Sequence, residues 1–259
     1  MRDVSFHPWR PFYTLLKREI LRFLSVAVQT LITPVITASL YLLVFGVSLG
    51  SQISLYPNLP YVQFVVPGLI LMGALNNAFA NSSSSIFMYT YLGNIVDILV
   101  TPITAGQFLW AFILSSVLRA LLVGGATWLV SLFFTGLPWV NPVAAVGILL
   151  LASLLFSLFG ILAAIYSKTF DGLSMFTNFL ILPLIYTGGL FYPVSQLPPF
   201  WRAASHFNPL TYMIDGFRQA VIGIGDTSLA LDFGITGGIA LALFVWCWWV
   251  IASGDRLRP

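Results

Sequence analysis

The feature that most limits this chain is a series of apolar runs, each about as long as a bilayer is thick and nearly free of charge. They fall roughly at residues 25–49, 61–79, 107–134, 143–166, 173–190 and 229–252. Strands of a membrane barrel would instead alternate apolar and polar residues over about 10 positions. A soluble alternative fails on composition. The chain is 59% hydrophobic and 7% charged, whereas a soluble domain carries about a quarter charged residues and needs them to cover its surface. The expected fold class is therefore an all-α membrane protein with six transmembrane helices. The formal charge of +3 does not point to nucleic acid, because the basic residues gather near the ends of the runs, as membrane orientation requires. The single cysteine, Cys247, lies within an apolar run and says little about redox compartment.

Residues 1–24 interleave Arg10, Lys17, Arg18 and Arg22 with Phe12, Leu15, Leu16 and Phe23 at helical spacing. The pattern predicts a cytoplasmic amphipathic helix lying on an anionic leaflet; a plain basic flank is the alternative. No cleavable signal peptide is expected. Arg2, Arg10, Lys17, Arg18, Arg22, Lys168, Arg256 and Arg258 fall on one side of a six-span topology, and only Arg202 and Arg218 on the other. This bias places both termini, including the tail 253–259, in the cytoplasm.

Several features interrupt the apolar pattern. Pro34 predicts a kink in the first span, and Pro67-Gly68 an irregularity early in the second. Asn76, Asn77, Asn81 and the run Ser82 to Ser85 should avoid lipid and face a helix, a cavity or the aqueous boundary. A short helix at about 92–100 is expected on the cytoplasmic side, ended by Thr101-Pro102. Arg119 lies mid-span, where a charge costs about 2.5–3.5 kcal/mol on insertion scales. Three placements are open for it. It can meet an anionic substrate group or a hinge, bond to carbonyls or to amides such as Asn76 and Asn77, or snorkel to the boundary.

The chain has no G-x-x-x-x-G-K-[ST] loop, and its only lysines are Lys17 and Lys168. ATP-driven work would need another subunit. His7, His206 and Cys247 are too dispersed to share a metal, and Ser82 to Ser85 have no activating base nearby. Neither an enzyme nor a bound metal or cofactor is expected. Every acidic residue maps to a loop or a boundary, which disfavours an ion-coupled transporter, the alternative within transport. A membrane enzyme or a non-transporting scaffold is the alternative outside it.

The stretch from Gly188 to Arg218, GGLFYPVSQLPPFWRAASHFNPLTYMIDGFR, is too polar and proline-rich to span as one helix, yet aromatic throughout. It predicts short interfacial or re-entrant helices on one side of the membrane. Its Gly-Gly break, Leu197-Pro198, Asn208-Pro209-Leu210, Tyr212 and Arg218 resemble the signature of the ABC type-2 permeases. VPGLILMGALNNAFANSSSSIF from Val66 to Phe87, then NIVDILVTPIT, resembles the branch holding the nodulation-factor, drug and polysaccharide exporter permeases.

The resemblance implies an exporter permease in a bacterial inner membrane. It would work as a homodimer with a separate ABC ATPase subunit that binds ATP and Mg, among membrane lipids and without nucleic acid. It implies that the helix at 92–100 couples to that ATPase through Asn94, Asp97 and Thr101 and through an apolar face of Ile95, Ile98 and Leu99. A plain connector is the alternative there. Lys168 and Asp171 are secondary contacts, or a solvated ion pair. The region 188–228 would cap the exit path, with Tyr192, His206, Tyr212, Asp215 and Arg218 as gate candidates, and Asp215 and Arg218 spaced to pair on one helix face; a purely structural lid is the other reading. Substrate would pass along the dimer interface, lined by the first, second and fifth spans, with Tyr41, Phe45, Asn76, Asn77, Phe79, Arg119 and Phe176 as candidates. The expected cargo is an amphiphile: a lipid-linked saccharide, a lipo-oligosaccharide or a hydrophobic drug.

Overall fold

A computed structural model describes residues 8–48, 50, 53, 55–57 and 59–254. Arg2, His7, Arg256 and Arg258 of the sequence reading lie outside the described residues, as does most of the tail. Among the described residues there are six helices long and apolar enough to cross a membrane. The chain is an all-α membrane protein.

The chain begins with α1 (Arg10–Ser25), which bends at Val26 into α2 (Ala27–Tyr41). The first span ends in a widened, π-helical turn, Leu42–Ser48. The second span, α3 (Tyr61–Tyr91), is 31 residues long. After it come the short α4 (Ile95–Leu99), α5 (Ala105–Ser131) and α6 (Pro142–Tyr166). The fifth span is broken into α7 (Phe170–Met175), a second π-helical stretch (Phe176–Ile181) and α8 (Leu182–Thr187). Beyond it lie α9 (Pro199–His206), α10 (Pro209–Ile222) and the last span, α11 (Leu229–Ser253).

Local chemistry sets these boundaries. Thr104 and Gln107 form a reciprocal capping box at the start of α5, and Asn141 and Thr169 accept N–H bonds that start α6 and α7. Gly189, at φ +80°, turns the chain sharply after α8, a conformation only glycine adopts without strain.

The packing separates a rigid back from a loose front. In α3, α5 and α6, 72%, 61% and 72% of the most apolar stretch is buried within the chain, against 17% for the first span and 11% for the fifth. α3 lies at the centre, against both α5 and α6. Helices in a membrane gain little from hydrophobic transfer, so close packing and polar contacts must hold them. α3 and α6 use both: Ser82 Oγ donates to the Ser157 carbonyl at 2.8 Å, and Gly160 lets the backbones meet. A Cβ on Gly160 would press on Ser82 Oγ and lie 2.6 Å from the Phe79 carbonyl oxygen.

Apolar residues at one end of the bundle form a cluster in which Phe12 and Leu15 of α1 and Ile95 and Ile98 of α4 join Phe112, Ile161 and Ile251. The end of α11 and the first turns of α1 are thus at the same end. α8, α9 and α10 occupy the other.

Several expected boundaries shift. The second span does not end at Phe79; α3 runs on through the serine run, where Ser82 and Ser85 find partners on neighbouring helices. Pro67-Gly68 leaves α3 unbroken, with Gly68 packed against Leu190. The short helix is only Ile95–Leu99.

Candidate transport groove

One face of α3 remains open along most of its length. Leu69, Gly73, Asn76, Ala80, Ser84 and Met88 follow each other at three- and four-residue steps, which puts them on one side of a helix, with Met72 beside Gly73. They floor a succession of clefts that share residues from one to the next. At the α1 end, a cleft of about 350 Å³ lies among Arg18, Arg22, Ser84, Met88 and Asn94. The next, about 480 Å³, runs between α3 and the fifth span, past Asn76, Phe79, Ser84 and Thr177. A third, about 370 Å³, lies between α3 and α2 and reaches Arg119. The last, about 180 Å³, extends to Thr37 and Tyr41. α2 turns Gln29, Thr33 and Thr37 outward at four-residue spacing, a polar stripe where a lipid-facing helix would be apolar.

A polar network backs the first half of the groove. Glu19 is fully buried on α1, in register with Phe12, Leu15 and Phe23. It accepts from Arg22 Nε at 3.1 Å, Ser85 Oγ at 2.6 Å and Tyr89 OH at 2.7 Å. Arg22 Nη2 donates to Asn81 Oδ1 at 2.9 Å and to the Asn81 carbonyl at 3.1 Å. Asn81 Nδ2 donates in turn to Ser115 and Ser116 of α5 at 3.2 and 3.0 Å. Arg119 Nε reaches Asn77 Oδ1 at 3.2 Å, and its Nη1 reaches Asn81 Oδ1 at 3.4 Å. Arg18 stacks over the Tyr89 ring, 4.8 Å from its centre.

Sequence reasoning missed Glu19. Its signal was a lone acid on the apolar face of an otherwise basic helix. Glu19 precedes the first span and Asp232 lies in the first turn of α11, so both sit at span boundaries, yet both are fully buried; Asp232 accepts from Thr227 Oγ1 at 2.5 Å.

The groove brings together Asn76, Asn77, Phe79, Arg119 and Tyr41 from the expected lining. Phe45 instead stacks on Tyr41 and Phe191, with ring centres 6.1 and 4.8 Å away, and Phe176 packs edge-on to Phe159.

At the far end the polar residues serve the backbone. Arg218 is buried, with Nη2 donating to the Gly189 carbonyl at 2.6 Å and the Leu190 carbonyl at 3.3 Å, and its guanidinium lies 3.8 Å from the centre of the Phe64 ring. Burial pulls this group down to about 10, opposed by Asp215 and Asp226, so it stays charged at neutral pH. Asp215 does not pair with it. Its carboxylate accepts the N–H groups of Asp226 and Thr227 at 2.8–2.9 Å and closes the turn before α11. Tyr212 OH donates to the His206 carbonyl at 3.0 Å, and Tyr192 OH to that of Tyr186 at 3.0 Å. His206 itself is exposed.

At the α1 end, Asn94 and Asp97 are exposed, along with Leu92, Val96 and Val100, while Ile95 and Ile98 face inward. Thr101 Oγ1 donates to the Ile98 carbonyl at 2.6 Å. Lys168 and Asp171 are exposed at the same end and make no ion pair; among the described residues Arg22–Glu19 is the one that forms.

Comparison with known proteins agrees with this architecture. The family model for "ABC-2 type transporter" matches residues 10–222. The "Inner membrane transport permease YadH" of Escherichia coli (strain K12) is 40% identical over 250 residues, covering 96% of this chain and 98% of that protein. "Nodulation protein J" of Sinorhizobium fredii is 22% identical over 217 residues, covering 83% of this chain and 82% of that protein. That of Neorhizobium galegae is 23% identical over 235 residues, covering 88% and 86%.

Proposed function

The chain belongs to the ABC-2 type transporter family, and on that premise we propose that it is the permease of an ATP-driven exporter in a bacterial inner membrane. The observation that carries this reading is the groove along α3, a polar-floored track from Met88 to Leu69 that one chain leaves open on one side. A second copy facing it would close the track into a path. The inner-membrane setting also follows the name of the 40% identical relative.

Energy must come from outside the chain, since it has no phosphate-binding loop. ATP and Mg would be held by a separate ABC ATPase docked at the α1 end, which would then be cytoplasmic. α4 offers that subunit Asp97, Asn94 and exposed Val96 and Val100, and Lys168 and Asp171 lie on the same side. A short helix docking in a partner groove is a standard recognition mode. A push on α4 acts on the end of α3 and the start of α5. The Glu19–Arg22–Asn81 network then joins α1, α3 and α5 into one body.

The walls of the groove are the spans able to yield. Among the described residues, π-helical turns occur only in the first and fifth spans, which also carry Pro34 and Pro183. Such turns are frequent at functional sites. ATP-driven closure of the ATPase would rock these walls against the α3–α5–α6 back and pass an amphiphile outward beneath α8–α10.

The test is to co-express the chain with a candidate ABC ATPase subunit, purify by a tag on the permease, and measure stoichiometry and ATPase rate. Equimolar recovery, and loss of permease-dependent ATPase stimulation in Asp97→Lys, are expected. No ATPase recovered, or stimulation unchanged by the substitution, would overturn the coupling.

A further inference from the structure

The geometry points to a binding site for the negatively charged head of an amphiphile in the α1-end half of the groove, with Arg119 as its principal partner. This rests on the groove being a transport path and names the chemistry of what it takes.

The charge balance there is incomplete. Arg18 and Arg22 line the cleft at the α1 end, and Arg119 lines the deeper one. The carboxylate bonded into this network is Glu19, and its oxygens are occupied by Arg22, Ser85 and Tyr89. Among the described residues, Arg119 therefore has no carboxylate bonded to it. Its two bonds go to neutral amide oxygens, and one of these, Asn81 Oδ1, is already taken by Arg22 at 2.9 Å. Two guanidinium groups thus share a single uncharged acceptor. A partly buried cation in low dielectric is stable when an anion answers it. Arg119 Nη2 has no partner among the described residues, in a cleft of about 370 Å³ lined also by the hydroxyls of Thr30 and Thr33 and the amide of Gln29.

The other half of the groove is different. It ends at Tyr41, whose hydroxyl meets that of Tyr186 at 3.4 Å, with the Phe45 and Phe191 rings alongside. The buried cation at that end, Arg218, donates to three backbone carbonyls and has the carboxylates of Asp215 and Asp226 in its surroundings. The groove is graded from cationic to aromatic, which fits a molecule with an anionic head and a long uncharged remainder. A guanidinium fork and flanking hydroxyls suit a phosphoryl or carboxylate group.

The experiment uses the purified permease alone. Native mass spectrometry would compare retention of phosphatidylglycerol and phosphatidylcholine by wild type, Arg119→Gln and Arg119→Lys, with and without inorganic phosphate. Wild type is expected to favour the anionic lipid by about tenfold, Arg119→Gln to lose the preference, and Arg119→Lys to keep part of it. Displacement by phosphate would assign the site to the free anion, and resistance to it would assign the site to a lipid head. Asn77→Asp supplies an internal carboxylate and should also abolish the preference, a check that holds even if Arg119→Gln folds poorly. Equal retention of the two lipids by wild type, or a preference unchanged in both Arg119→Gln and Asn77→Asp, would overturn the site. Either result leaves the exporter reading to its own test, because no ATPase is involved.

Discussion

Two arginines inside this bundle are used in opposite ways. Arg218, at the α8–α10 end, is buried and bonded to backbone carbonyls, while its neighbour Asp215 is bonded to backbone N–H groups. These bonds fasten bends that cannot pair their own backbone. Among the described residues, Arg119, at the groove, hydrogen-bonds to side-chain amides alone. A charge matched to main chain holds a fold in place. A charge matched to soft side chains beside a cleft is available to something that is not part of the fold.

This contrast can be broken at several points. Arg218→Gln has the largest expected effect. It orphans the carbonyls of Gly189 and Leu190 and should cost about 3 kcal/mol, seen as loss of a monodisperse, folded species in detergent. Glu19→Gln comes next, at about 2 kcal/mol, because Arg22 loses its counter-charge while Ser85 and Tyr89 keep a weaker acceptor. Its thermal unfolding midpoint should fall below wild type, and α1 should become protease-sensitive. Asp215→Asn should cost about 1 kcal/mol, since one amide oxygen replaces two carboxylate oxygens. Arg119→Gln should change the unfolding midpoint least while changing transport most. If Arg119→Gln unfolds the protein as readily as Arg218→Gln, the two arginines are alike and the contrast fails.

The spans were legible because length and apolar continuity are local properties. The reach of α3 was not legible. Ser82 to Ser85 fell beyond the expected end of the span with a helix, a cavity or the aqueous boundary open to them, and the acceptors for Ser82 and Ser85, Ser157 of α6 and Glu19 of α1, lie 75 and 66 residues away in sequence. The roles of Asp215 and Arg218 were hidden for the same reason. Their three-residue spacing suggests a pair, but Arg218 answers carbonyls freed by the Gly189 turn, 29 residues earlier. For Arg119 the residue type and depth pointed to a functional group, and amides were named as partners. Its competition with Arg22 for Asn81 required the fold.

The central claim is that the open face of α3 is a wet path and not merely lipid-facing surface. The direct measurement is thiol labelling by a water-soluble maleimide in a Cys247→Ala background. It would compare Asn76→Cys in the groove with Leu241→Cys, a mid-helix residue of α11 that is 65% exposed. The account predicts that the cysteine at 76 is modified and the one at 241 is not, because water reaches the first and hydrocarbon covers the second. Equal labelling, or none at 76 in folded protein with or without ATP and the ATPase subunit, would contradict it.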